Sequence, residues 1–215
     1  MPREFPKELR KEFAALRSWR TFAQVQDEID KLEFDVELGR ETLRPPRKVL
    51  KEKKAHCLEG AMLAAAAFWY HGGRSLLLDL RTSRKYPEEF DHVVAPFEYK
   101  DHWGAVSKTN HGVLRYREPV YRDIRELAMS YFHEYFLDGG QKTLRKYSEP
   151  FDLSKFDPSW LTSGKDLDEI AEALDASPHH DILPPGMEKK LRLAHPIERE
   201  AGKVVEWKRN SKASP

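Results

Sequence analysis

One cysteine, Cys57, stands in the chain, and the pattern after it places it at the start of a helix. A thiol attacks as its thiolate, and the unpaired amides and positive dipole end of a helix N-terminus favour that form. Lys51, Lys53 and Lys54 ahead of it, and His56 beside it, add positive potential. Such a nucleophile also needs a base within hydrogen-bond reach. His92 fits that role on a strand whose alternation sets His92, Val94 and Pro96 on one face and Val93, Ala95 and Phe97 on the other. If Tyr99 and Lys100 form a two-residue turn, Glu98 pairs with Asp101 and the ladder sets Ser107 opposite His92. A polar group there orients the imidazole, as the third member of a triad does. Asn110, three residues further, is the substitute if the strand bulges.

A lone cysteine is more often a small inert hydrophobe. What lifts Cys57 above that reading is the order of elements around it. Leu58, Met62, Ala65 and Trp69 recur at helical spacing over 57–71, with alanines on the other faces, so this helix is expected to be central and closely packed. Gly72-Gly73 is a glycine stop. Residues 75–80, 91–97 and 102–107 read as strands, with a turn over 98–101, and 115–117 is expected to close the sheet. Ahead of this block, 6–17 and 21–34 read as helices, 41–46 as a break, and 47–54 as a solvated basic run. After it, Pro119 is expected to open a helix carrying Ile124, Leu127, Tyr131 and Tyr135, with Gly139-Gly140 as its stop. A short helix is expected over 166–174, a loop over 175–190 and a disordered tail over 208–215.

At this point the chain resembles a known superfamily. His56-Cys57-Leu58-Glu59-Gly60-Ala61, the Gly72-Gly73 end, Asp91-His92-Val93-Val94 and Trp103-Gly104-Ala105-Val106-Ser107 look like the transglutaminase-like core of the wider papain-like thiol group. The likeness covers roughly residues 50–137. It implies an α+β fold, an antiparallel sheet packed on a central Cys-bearing helix, with flanking N- and C-terminal helices. The corresponding organisation is an N-terminal helical segment over 1–46, the core over 47–150 and a C-terminal extension over 151–207. The resemblance also implies acyl-group chemistry on an amide or peptide bond through a thioester, with Cys57, His92 and Ser107 or Asn110 as site residues. Two departures stand out. The family sets an acid, or in the papain branch an asparagine, beside the histidine, where this chain has Ser107. The papain-type glutamine ahead of the cysteine has no evident counterpart, since Lys51 stands six residues before Cys57. The departure at Ser107 keeps open a second expectation, a catalytically silent member of the fold that serves as a protein-interaction module.

Composition narrows the rest. The 215 residues are 40% hydrophobic and include five Trp, eight Tyr and eleven Phe, enough to build a core. Charged residues make up 34%, yet the formal net charge is +1, which gives no overall drive toward nucleic acid or anionic membrane. The basic run 44–54 has no aromatic residue on which a base could stack. No apolar run reaches membrane-spanning length, and a single cysteine makes no internal disulfide. A cytoplasmic location and no cofactor are the resulting expectations, and the resemblance implies a protein or peptide/amide substrate. Metal is not expected either. His133-Glu134 lacks the second histidine of a zinc helix, since Leu137 stands there, and His179-His180-Asp181 lacks partners at ligand spacing.

Overall fold

All of residues 58–70 are buried, and the rest of the molecule is arranged around them. A computed structural model describes residues 4–35, 42–86 and 90–207. The expected tail over 208–215 lies outside the described residues. The architecture is mixed α+β, built on an antiparallel sheet.

The chain opens with two short 3-10 turns, Lys7–Leu9 and Ala14–Ser18, where one helix over 6–17 was expected. Packing overrides the helical spacing there. Phe5 meets Phe13, Trp69 and Tyr70 edge-on, and Phe13 and Leu16 are fully buried. Helix α1 (Phe22–Asp30) follows, capped by Thr21 and Gln24 in a reciprocal capping box. A two-residue strand β1 (Glu33–Phe34) ends the segment expected to be helical to residue 34.

The basic run expected to be solvated keeps Arg47, Lys48, Lys51 and Lys53 exposed, and it forms helix α2 (Pro46–Glu52). Pro46 occupies its first position, where a missing N–H costs nothing and the fixed φ suits the helix. Val49 anchors it with no exposure. Strand β2 (Lys54–Ala55) pairs in parallel with β1 and leads directly into helix α3 (Cys57–Tyr70).

Strands β3 (Leu76–Thr82), β4 (His92–Tyr99) and β5 (His102–Val106) form the centre of the sheet. β6 (Arg117–Tyr121) closes one edge. Pro119 lies within that edge strand rather than opening a helix, and an edge is where a sheet tolerates proline. Helix α4 (Ile124–Phe132) begins only after Asp123, whose carboxylate accepts from Glu126 N–H. On the other side of β3 lie β7 (Leu144–Ser148), the short β8 (Phe151–Asp152) and, after helix α5 (Asp168–Asp175), the edge strand β9 (His179–Asp181). The region 175–190, expected to be a loop, thus contributes a strand. Three residues are too few to show a period of two. The main path runs β6-β5-β4-β3-β7-β9, and a last helix α6 (Pro196–Gly202) lies outside it.

The sheet separates two apolar clusters. On one side α3 packs with Leu77, Val93, Ala95, Phe97 and Val106, and with residues from both ends of the chain, including Phe13, Trp160 and Ile170. On the other side Leu78, Leu80, Val94 and Ala105 pack against Leu127 and Tyr131 of α4. The alternation read from residues 92–97 is therefore present, with a different element on each face.

Candidate active site

Cys57 occupies the first position of α3, where its amide has no carbonyl a turn earlier in the helix to bond to. The residue is half-buried. Its sulfur is hydrogen-bonded to two imidazoles, those of His56 and His92. Burial favours the neutral thiol and pushes its pKa up. The hydrogen bonds to His56 and His92, and then their charge, outweigh burial and bring the pKa down to about 5.

His92 begins β4 and is 5% exposed. Its Nε2 lies 2.8 Å from Ser107 Oγ, and Ser107 Oγ lies 2.9 Å from the Leu114 carbonyl oxygen. The carbonyl can only accept, so the hydroxyl donates to it and accepts from Nε2–H. This fixes the hydrogen on Nε2 and leaves Nδ1 to face the thiol. The tautomer suits a proton acceptor at sulfur.

The route to this contact differs from the expected one. Lys100 and Asp101 have φ of 49° and 61°, so they form the two-residue turn, one step later than Tyr99 and Lys100. A pair of left-handed residues gives the turn whose twist matches the flanking strands. Glu98 consequently pairs with Trp103, and the ladder stops at Ala95 and Val106. A shift of two leaves every side chain on its own face, which is why Ser107 still shares a side with His92. That side is the α4 side. The His92 ring meets Tyr131 edge-on, with centroids 6.5 Å apart, and is paired across β3 with Leu80.

The β4–β5 ladder ends at Ala95 and Val106, before it reaches His92. Gly60 fixes the approach. A Cβ built on it would lie 2.4 Å from Lys108 Cβ, so only glycine lets the end of β5 come this close to the helix. Lys108 is itself 1% exposed and donates to the Leu32 carbonyl at 2.5 Å.

Ser107 is held on a second side by a residue for which the sequence carried no local signal. Gln26 of α1, 81 positions away, accepts from Ser107 N–H at 2.9 Å and donates to the Ser107 carbonyl at 2.9 Å. It also donates to Asp30 at 2.8 Å. Asn110 is not at the site. Its amide nitrogen donates to the Trp207 carbonyl at 3.0 Å and its oxygen accepts from Trp207 N–H at 2.8 Å, so both ends are spent on the C-terminal segment. Ser107 therefore holds His92, and Asn110 does not.

Beside the thiol lies a buried charge cluster. Glu59 of α3 has no exposure and accepts from Arg44 at three places: backbone N–H at 2.7 Å, Nε at 2.8 Å and Nη2 at 2.8 Å. It also accepts from His56 N–H at 3.2 Å. Arg44 further pairs with Asp35 and Glu52, and Lys54 with Asp35. His56 Nε2 is 2.6 Å from the Thr42 carbonyl oxygen and 3.6 Å from Glu59 Oε1. The signal available in the sequence was the spacing of His56 and Glu59, that of a helix-start residue and the acid which reaches back to it.

The chain matches no protein-family model and no curated protein. No helix among the described residues is long and apolar enough to cross a membrane.

Proposed function

We propose that the protein is a cysteine-dependent hydrolase or acyltransferase of the transglutaminase-like, papain-like group, acting on an amide or peptide bond through a thioester. The observation that carries this reading is the line Cys57, His92, Ser107 at the start of α3, with the His92 tautomer set by Ser107. Cys57 thiolate attacks the carbonyl carbon. The oxyanion that forms lies within reach of the Cys57 amide, a donor of the kind that stabilises such charge. His92, having taken the thiol proton on Nδ1, gives it to the leaving amine as the C–N bond breaks. Water or a second amine then resolves the thioester, and His92 takes the proton of that nucleophile. The substrate is a protein or peptide, and the reducing cytoplasm is the compartment that keeps the thiol usable.

The test is covalent labelling by an iodoacetamide-type probe at neutral pH, alongside release of amine from a library of small amides and peptides. Labelling is expected at Cys57 and lost in Cys57→Ala, with amine release lost in the same variant. Fast labelling without turnover on any amide would favour the silent-module reading, which Ser107 supports. A hydroxyl orients an imidazole but does not neutralise the imidazolium charge formed in each cycle.

A further inference from the structure

We propose that Asp30 is a positioning residue of the site: its carboxylate joins Gln26 and Arg115 into a closed ring of contacts that holds Ser107, and through Ser107 it sets the His92 imidazole. The proposal rests on the thiol reading above.

Two supports of Ser107 meet on one oxygen. The first holds its backbone. Gln26 Oε1 accepts from Ser107 N–H at 2.9 Å, and Gln26 Nε2 donates to the Ser107 carbonyl at 2.9 Å and to Asp30 Oδ1 at 2.8 Å. The second support holds the hydroxyl. Ser107 Oγ donates to the Leu114 carbonyl at 2.9 Å, and the next residue, Arg115, donates from Nη1 to the same Asp30 Oδ1 at 3.1 Å. The circuit through Ser107, Gln26, Asp30, Arg115 and Leu114 therefore closes on itself.

Its links have a fixed sense. Gln26 is buried, and both hydrogens of its amide nitrogen are used. A turned amide would set its oxygen against the Ser107 carbonyl and Asp30, and its N–H against Ser107 N–H. Asp30 lies four residues beyond Gln26, so the two project from one face of α1. Its place is informative too. Asp30 is the last residue of α1, where the negative end of the helix dipole disfavours a carboxylate. Helix formation does not ask for an acid there, and a local rule broken without local gain marks a working position.

The consequence reaches the ring. Leu114 takes the hydroxyl hydrogen, so Ser107 Oγ must remain the acceptor of His92 Nε2–H each time the imidazole gains and loses its other proton. Because Asp30 Oδ1 joins both supports, a change there loosens both.

The competing account is an ion pair between Asp30 and Arg115, partly exposed and of little worth by itself. Asp30→Ala separates the two. Alanine is the better helix former and removes the clash with the dipole, so α1 should be no weaker. Gln26→Glu is the second variant, which keeps the acceptor for Ser107 N–H and loses both donors. The probe is p-nitrophenyl acetate on the full-length protein, with circular dichroism confirming the fold. Cys57 thiolate attacks the acetyl carbon and p-nitrophenolate leaves with the C–O electron pair, so no proton has to be supplied. Water then attacks the thioester, His92 takes its proton, and the C–S bond breaks to release acetic acid and the thiolate. The native protein is expected to give a burst of p-nitrophenolate and then a slower steady rate. In both variants the burst rate should stay within about twofold, while the steady rate, which needs His92 as base, should fall about tenfold. NMR should show the His92 Nε2–H exchanging with solvent about tenfold faster, with amides in the second half of α3 unchanged. Folded variants with a native steady rate and native Nε2–H exchange overturn the proposal and leave the thiol reading standing. An equal fall in burst and steady rate also overturns it, because Asp30 would then serve the fold alone. A native protein without a burst removes the thiol reading itself, and the proposal with it.

Discussion

Burial and hydrogen bonding pull the Cys57 thiol in opposite directions, and the two imidazoles win. The sign of the pH dependence follows. An acid with a lowered pKa stays ionised as pH falls, until pH reaches the lowered value. Alkylation of Cys57 should therefore be flat from pH 9 to about 6 and fall to half near pH 5, where a free thiol loses half its rate near about 8.5. Mass spectrometry of the alkylated chain across that range checks it, and a rate still climbing between pH 7 and 9 would contradict it. Ser107 acts one bond further out. Ser107→Ala removes the acceptor for buried His92 Nε2–H and the donor to the Leu114 carbonyl. Leaving such groups unpaired costs about 1–3 kcal/mol each, so urea denaturation should show a loss of about 2–6 kcal/mol. Its effect on chemistry should be uneven. Cys57 keeps His56, so labelling should survive, whereas turnover, which needs His92 in one tautomer, should fall more. Equal loss of both would mean that Ser107 matters only to the fold.

At the scale of elements, the site depends on one helix start meeting one strand end, and Gly60 is the hinge of that meeting. Alanine is the better helix former by about 1 kcal/mol, so on propensity alone Gly60→Ala should stabilise α3. The Cβ at 2.4 Å from Lys108 Cβ decides otherwise. Lys108 is buried with its Nζ tied to Leu32, and it follows Ser107, which Gln26 clamps, so the neighbour has little room to move. Overpacking of this kind costs about 1–3 kcal/mol. A lowered urea midpoint with slower labelling of Cys57 is expected, and a more stable Gly60→Ala would show that the end of β5 yields freely. The same elements show how far the sequence could be read. Cys57 at a helix start and the alternation over 92–97 were legible because each is a local signal, a period followed by a stop. Ser107 was legible through parity alone. The hairpin turn was misplaced by one position, but the resulting shift of two in register keeps each side chain on its face. Gln26, the Arg44 cluster and strand β9 were not legible, because each is defined by partners far along the chain. The basic run 47–54 is solvated as read, but its helix over 46–52 was not legible, because a single deeply buried anchor, Val49, sets no period.

The C-terminal part of the described chain is tied to the segment that follows β5. Residues 204–207 run beside 110–112: Gly112 N–H donates to the Val204 carbonyl at 2.9 Å, Glu206 N–H to the Asn110 carbonyl at 3.0 Å, and Trp207 N–H to Asn110 Oδ1 at 2.8 Å. Arg115 bridges Glu206 at 2.6 Å and Asp30 of α1 at 3.1 Å, so the clasp also joins the helix that carries Gln26. The segment held this way, 107–115, contains both Ser107 and the Leu114 carbonyl that Ser107 needs. It lies in no strand or helix, so its backbone has few other bonds to keep it in place. The α3 core, in contrast, draws on residues 5–32 and 153–174 and includes none of 204–207. Removing residues 204–215 should therefore separate the two. Amide exchange at Gly112 should accelerate while amides of the second half of α3 keep their protection, because local opening follows the bonds that are lost. Cys57 should still be labelled, since the start of α3 and His56 are intact, and turnover should fall as the Leu114 carbonyl drifts from Ser107. A shortened chain that exchanges uniformly faster would show that the C-terminal segment supports the whole fold. One with unchanged exchange at Gly112 would show that 107–115 holds its shape unaided.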